Sequence, residues 1–264
     1  MMPERSATGS AGSWKKLASI YRDMDHRVDR GEARRKLWSF YPDDGPLRRE
    51  LYPKHLQFFA AGVEHRERLF MAANRGGKTE GVGGYETTLH LTGAYPPWWT
   101  GRRFDRPISA WVAGKTNETT RDIVQAKLFG RVEGSGARKR FAGTGLVPGE
   151  AIGDCSWRGA IADLADTVAI RHAGGGFSTL GLKSYQQGRG AFEGTEQDVV
   201  WLDEEPPLDV YVECLVRTMT TDGLVMVTFT PLEGMSDVVM SFLEGGKMPE
   251  QGREGPSASL GAGA

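Results

Sequence analysis

The sequence predicts an α/β fold, a mainly parallel central sheet with helices on both faces. Two observations predict it. Short apolar runs recur along the chain: "RLFMAA" (68–73), "ISAWVAG" (108–114), "DVVWLDEEP" (198–206) and "GLVMVTFTP" (223–231). Each is followed by a stretch that reads as a helix, and strands alternating with helices build parallel sheets buried on two sides.

Element by element, residues 1–13 have the composition of an unstructured N-terminus and lack the apolar core of a signal peptide. Residues 14–50 form a charged, mostly helical segment, in which Leu17, Ile20, Tyr21, Met24 and Val28 recur at roughly helical spacing. The turn signal "YPDDGP" (41–46) closes the helical part. The principal domain is expected over 51–244. Within it, 68–73 reads as a strand, 78–91 as a helix, 108–114 as a strand and 117–129 as a helix with Thr116, Asn117 and Thr119 available as caps. Residues 131–157 are glycine-rich and receive no assignment. "TVAIRH" and "FSTLGLKS" flank Gly174, Gly175 and Gly176 as a hairpin. A strand ending in acids, a helix over 208–219, a last apolar strand and a short helix "SDVVMSFLE" complete the domain. The tail 245–264, rich in glycine and poor in large apolar side chains, is expected to be disordered.

Composition removes several function classes. The formal net charge is −1, so contact with nucleic acid requires a local patch. No apolar run approaches the ~20 residues that span a bilayer. Cys155 and Cys214 lie far apart with no CxxC spacing, which favours buried thiols and a reducing cytoplasm.

Chemistry concentrates in two stretches. "AANRGGKT" places Ala72, Ala73, Asn74, Arg75, Gly76, Gly77, Lys78 and Thr79 between a strand and a helix. That is the context of a phosphate-binding loop, whose backbone N–H groups converge on phosphate oxygens, whose lysine reaches the terminal phosphates and whose hydroxyl serves magnesium. Ala72 stands where the motif has its first glycine, and a polar Gly-Gly turn is the bland alternative. In "VVWLDEE", Val199, Val200, Trp201 and Leu202 form a buried strand with Asp203 and Glu204 at its C-terminal edge. Ligands of parallel α/β sheets bind at that edge. An aspartate for magnesium and an acid for the attacking water are what ATP hydrolysis adds to such a loop. Otherwise the acids are a turn capping the next helix, with Asp209 sharing that role. Glu205 reads as a charge at that helix N-terminus or as a group behind the acid pair.

Other residues carry two readings each. Gln57, in "LYPKHLQFFAAG", offers an amide to an adenine edge or is an exposed helix residue. Arg75 either stabilises charge on the transferred phosphoryl group or holds a structural ion pair. "TFTP" (Thr228 to Pro231) either senses the γ-phosphate from a strand tip or is a strand stopped by proline. Arg189, in "SYQQGRG", reaches a neighbouring subunit or DNA, or sits on a solvated loop.

Taken together, "AANRGGKT", "GRGAFEGTEQDVVWLDEEP" and "TFTPLEG" resemble the ATPase part of tailed-phage terminase large subunits over residues 52–243. The resemblance implies a P-loop NTPase of the ASCE, RecA-like type that uses ATP and Mg²⁺ to drive double-stranded DNA into a procapsid. It implies Lys78 and Thr79 at phosphates and magnesium, backbone contacts from Ala73 to Gly77, Asp203 on magnesium and Glu204 on the water. It also implies Arg75 at the transition state, Gln57 at adenine, and Thr228 and Thr230 coupling hydrolysis to movement. Implied partners are DNA through its phosphates, the portal protein, the small terminase subunit and further copies in a ring, in the bacterial host cytoplasm. The family carries a C-terminal nuclease domain; the residues after Pro231 have no room for it, so no nuclease activity is expected. Another P-loop translocase or a non-packaging remnant of a terminase gene are the alternatives.

Overall fold

The computed structural model describes residues 36–73, 76–231, 236–243 and 259–263. The helix expected over 14–40 lies mainly outside them. Eight strands form one sheet in the order β10-β1-β9-β8-β2-β7-β6-β5: β1 (Glu67–Met71), β2 (Ser109–Gly114), β5 (Ile152–Trp157), β6 (Ala165–Arg171), β7 (Phe177–Ser184), β8 (Val199–Asp203), β9 (Leu224–Phe229) and β10 (Ser259–Gly263). The five strands β1, β9, β8, β2 and β7 are mutually parallel. β6, β5 and β10 run antiparallel to their inner neighbours. A small separate ladder joins β3 (Val132–Glu133) to β4 (Arg140–Phe141).

The apolar runs explain the layering. Side chains alternate across a strand, and in the central strands both sets are apolar. Val199 and Trp201 of β8, with Leu224 and Met226 of β9, join one core. Val200 and Leu202, with Val225, Val227 and Phe229, join the other. The first core is covered by Phe58 and Phe59 of the Pro53–Ala61 helix, Tyr85 and Leu89 of the Tyr85–Thr92 helix, and Leu128 and Phe129 beyond β2. The second is covered by Val210, Tyr211 and Cys214 of the Leu208–Met219 helix and by Val238 and Val239. The sequence-expected fold is therefore present: a mainly parallel central sheet with helices on both faces, in which β9 separates the loop-bearing β1 from the acid-bearing β8. Their parallel direction brings the ends of β1, β9, β8 and β2 to one edge.

Three differences have physical reasons. The unassigned residues 131–157 supply β3, β4 and β5; two of these strands are two residues long, and β5 is a half-exposed edge with little apolar signal. Ser259–Gly263 lies in the tail expected to be disordered, yet pairs with β1 as an edge strand. An open strand edge offers N–H and C=O groups to any extended backbone, and such pairing leaves no side-chain pattern to read. Cys214 is buried as expected, but Cys155, on β5, is only partly so; both are free thiols. Thr116 does cap its helix: its hydroxyl accepts from Thr119 N–H, and the Thr119 hydroxyl accepts in return from Thr116 N–H.

Candidate active site

The loop after β1 closes on Gly77, whose φ of +74° lies in the left-handed region that favours glycine. Gly77 O then accepts from the N–H groups of Gly81 at 2.7 Å and Val82 at 3.2 Å, so the helix opens with wide turns before tightening at Tyr85. Two side chains hold the loop from behind. His55 Nε2 lies 3.2 Å from Gly76 O, and Tyr41 bridges His55 Nδ1 at 2.7 Å to Gly81 O at 2.5 Å. Burial pushes the His55 imidazole down to about 4, so it is neutral at physiological pH.

Lys78 is buried, and its ammonium donates to Thr230 Oγ1 at 2.6 Å and lies 3.9 Å from Glu204 Oε1. The next residue, Thr79, donates to Asp203 at 3.0 Å (Oδ1) and 3.3 Å (Oδ2). Asp203 also accepts from Thr228 Oγ1 at 2.9 Å, and Thr228 accepts from Trp201 Nε1 at 2.8 Å. This chain of hydrogen bonds crosses β8 and β9 because Asp203 and Thr228 are register partners. Trp201 fits beneath the loop helix only because residue 83 is glycine: a Cβ there would lie 2.2 Å from the indole.

Burial raises the Asp203 carboxyl from its ordinary value to about 6; the Thr228 and Thr79 hydrogen bonds and Lys78 oppose the rise, and Glu204 adds to it. Glu204 is only half-buried and has φ +66°, a left-handed backbone uncommon for a residue with a side chain. Its N–H donates to Thr228 O at 2.9 Å. Tyr185 Oη donates to the carbonyls of Asp203 at 3.0 Å and Glu204 at 2.8 Å.

Lys78, Thr79, Asp203, Glu204, Thr228 and Thr230 thus meet in one cluster, held by two sets of side-chain hydrogen bonds and the Lys78–Glu204 ion pair. The carbonyl of Ala73 accepts from Gly76 N–H at 3.1 Å, within the loop itself. Gln57 lies on the exposed face of the helix that carries His55. Asn74 and Arg75 fall outside the described residues. Glu205 is half-buried beside the acid pair, and Asp209 accepts from Val210 N–H at the helix start. Arg189 is ion-paired with Glu213 at 2.9 Å. Sequence reasoning misses His55, Tyr41, Trp201 and Tyr185 as site residues. All four stand in stretches it quotes, "YPDDGP", "LYPKHLQFFAAG", "VVWLDEE" and "SYQQGRG", but there the turn signal, Gln57, the acids and Arg189 draw the reading.

Residues 69–253 match the family described as the N-terminal part of the terminase large subunit, T4likevirus-type. The large terminase subunit of Salmonella phage P22 is 39% identical to this chain in a match that covers 73% of the chain and 41% of that protein. The chain therefore spans about two fifths of the length of this curated relative. Among solved structures, the ATPase domain of the Thermus phage P74-26 large terminase shares 14% identity, with 69% of this chain and 68% of that one covered and a TM-score of 0.43. The large terminase of a thermophilic bacteriophage, solved in complex with ADP, shares 13%, with coverages of 68% and 38% and a TM-score of 0.41. With loop, acid pair and threonines gathered at one sheet edge and this family match over most of its length, the chain belongs to the terminase large-subunit family.

Proposed function

We propose that this chain hydrolyses ATP and that hydrolysis drives double-stranded viral DNA into a procapsid. The observation that carries the reading is the meeting of Lys78, Thr79, Asp203, Glu204 and Thr230, drawn from three distant segments, in one cluster of hydrogen bonds and an ion pair. Magnesium suits the donor set. A hydroxyl and a carboxylate are hard oxygen ligands, and a carboxylate buried as deeply as Asp203 gains from a cation beside it. Thr79 and Asp203 would hold the ion, which when bound neutralises charge on the phosphates.

The chain's own residues do the rest. Lys78 binds the terminal phosphates. Glu204 orients the attacking water and accepts its proton. Arg75 stabilises charge on the transferred phosphoryl group, and Gln57 recognises adenine. Ala73, Asn74, Gly76 and Gly77 line the phosphates with backbone groups. Thr230, bonded to Lys78, relays the state of the nucleotide to the body of the sheet, with Thr228 fixing Asp203. The partners are DNA held through its phosphates without sequence readout, the portal, the small terminase subunit and further copies of the chain in a ring, in the bacterial host cytoplasm.

The deciding experiment is ATPase activity with and without DNA and procapsids. Lys78→Ala is expected to abolish hydrolysis. Glu204→Gln is expected to keep nucleotide binding and lose about 10²–10⁴ in rate, with Glu205→Gln close to wild type. Hydrolysis at the wild-type rate in Lys78→Ala removes the loop assignment, and equal mild effects of the two glutamine variants remove that of Glu204.

A further inference from the structure

We propose that Tyr185 is the positioning residue for Glu204; the inference rests on the ATPase reading above. Tyr185 follows directly on β7, and its ring is packed in the core between the sheet and the Leu208–Met219 helix. A phenol has one proton to donate. Here it faces two carbonyls in succession along the chain, those of Asp203 and Glu204, at 3.0 and 2.8 Å. Successive residues of an extended strand face opposite ways, so one donor does not ordinarily serve both carbonyls. They converge because the backbone turns left-handed at Glu204, with φ +66°. A residue with a Cβ holds that conformation only where its surroundings enforce it. Two main-chain ties do so: Glu204 N–H to Thr228 O at 2.9 Å on one side, and Glu204 O to the Tyr185 hydroxyl on the other.

The bend has a consequence for chemistry. It turns the chain at the edge of the sheet so that the Glu204 carboxylate comes within 3.9 Å of the Lys78 ammonium. A base that acts on a water must be held in one direction, and a displacement of about 1 Å is enough to cost on the order of a hundredfold in rate. Burial also raises the Tyr185 hydroxyl well above its ordinary range. It therefore stays protonated, and a donor, at neutral pH. The loop that Tyr185 opens is fastened a second time, by the Arg189–Glu213 ion pair to the helix that follows the acids.

Tyr185→Phe removes the donor and leaves the ring. The measurements are kcat for ATP, the affinity for a non-hydrolysable ATP analogue with Mg²⁺, and the thermal midpoint, each in the wild-type and Glu204→Gln backgrounds. The expected result in the wild-type background is a fall in kcat of about tenfold or more, with analogue affinity within about twofold. In the Glu204→Gln background the same substitution is expected to change the residual rate by less than about twofold, because a group acting through Glu204 has nothing left to position. A kcat that stays within about twofold of wild type overturns the inference. So does the same loss of rate in both backgrounds, and so does a parallel fall of kcat, affinity and thermal midpoint. A wild-type protein that does not hydrolyse ATP removes the ATPase reading and this inference with it; a Glu204→Gln variant as fast as wild type removes the Glu204 assignment and this inference, and leaves the ATPase reading standing. Loss in Glu204→Gln but not in Tyr185→Phe removes this inference alone.

Discussion

Asp203→Asn is expected to make the metal-free protein more stable at neutral pH. Asp203 is 4% exposed, and its carboxyl is raised, chiefly by burial, from 3.8 to about 6. A raised carboxyl favours the folded state in its protonated form. That contribution is fully present below the unfolded value near 4 and is lost as pH rises through about 6. A shift of about two units at ~1.4 kcal/mol each puts the loss near 3 kcal/mol above pH 7. Asparagine is neutral throughout, and its amide oxygen can still accept from Thr79 and Thr228, the two hydroxyls that reach Asp203 now. The assay is urea unfolding of both proteins in chelator between pH 4 and 8. Carboxylates away from the site titrate equally in the two proteins, so the difference reports position 203 together with Glu204, the carboxylate coupled to it. The difference is expected to grow from under ~1 kcal/mol at the acid end to ~3 kcal/mol at the basic end, reaching half its full size at about pH 5, midway between the unfolded and folded values. Mg²⁺ with nucleotide is then expected to stabilise the wild type and not the variant. A difference that does not change with pH, or a wild type that is the more stable at pH 8, would refute the reasoning.

Gly83→Ala sets a methyl group 2.2 Å from the Trp201 indole; overpacking of this kind costs about 1–3 kcal/mol, and a urea midpoint equal to wild type would show that the indole has room to move. Glu86→Ala leaves the fully buried Arg68, now paired to it at 2.7 Å, without a counter-charge, with an expected loss of about 3–5 kcal/mol by denaturant unfolding. Burial opposes the Glu86 charge, yet Arg68 and His90 hold the carboxyl below its usual range. The stability it contributes is therefore present above the ordinary carboxylate range and lost on further acidification, so the variant's deficit is expected to shrink in acid. Thr230→Ala removes the acceptor that Lys78 uses; nucleotide binding is expected to persist while translocation falls more than single-turnover hydrolysis, and normal packaging in a reconstituted motor would reduce "TFTP" to a strand end.

The fold was legible where burial is strong and local. β1, β2, β8 and β9 are short runs of large apolar residues, and each is followed by its helix or helix-opening loop close to the expected boundaries. Strand order was less so. Nothing in the apolar pattern says that β9 inserts between β1 and β8; that order comes from crossovers packed against two different cores. β5 escaped notice because an edge strand with one face in solvent needs few apolar residues, and the β3–β4 ladder because two-residue strands have no periodicity.

At the site, the residues with a motif of their own were legible and those that hold them were not. Lys78, Thr79, Asp203 and Glu204 stand in fixed local patterns, whereas Trp201 reads as one apolar residue of a strand, and Tyr41, His55 and Tyr185 lie in stretches read for a turn, for Gln57 and for Arg189. The β8–β9 pair shows why this matters. Slipping a strand by one residue moves every side chain to the opposite face. Where one face is polar, such a slip is costly. Here both faces of β9 are apolar: Leu224 and Met226 on one, Val225, Val227 and Phe229 on the other. Alternation alone therefore discriminates weakly against a shifted register. The buried polar chain discriminates strongly. In the observed register, the indole N–H of Trp201, the hydroxyl of Thr228 and the carboxylate of Asp203 satisfy one another, with Thr228 fully buried. A one-residue slip would set Val227 or Phe229 beside Asp203, and would leave a buried N–H and a buried carboxylate each short of a partner, at about 1–3 kcal/mol or more apiece. The residues that hold Asp203 in place are thus also those that fix the alignment of the two strands carrying the site, and Thr228 belongs to the architecture of the sheet as much as to the candidate site.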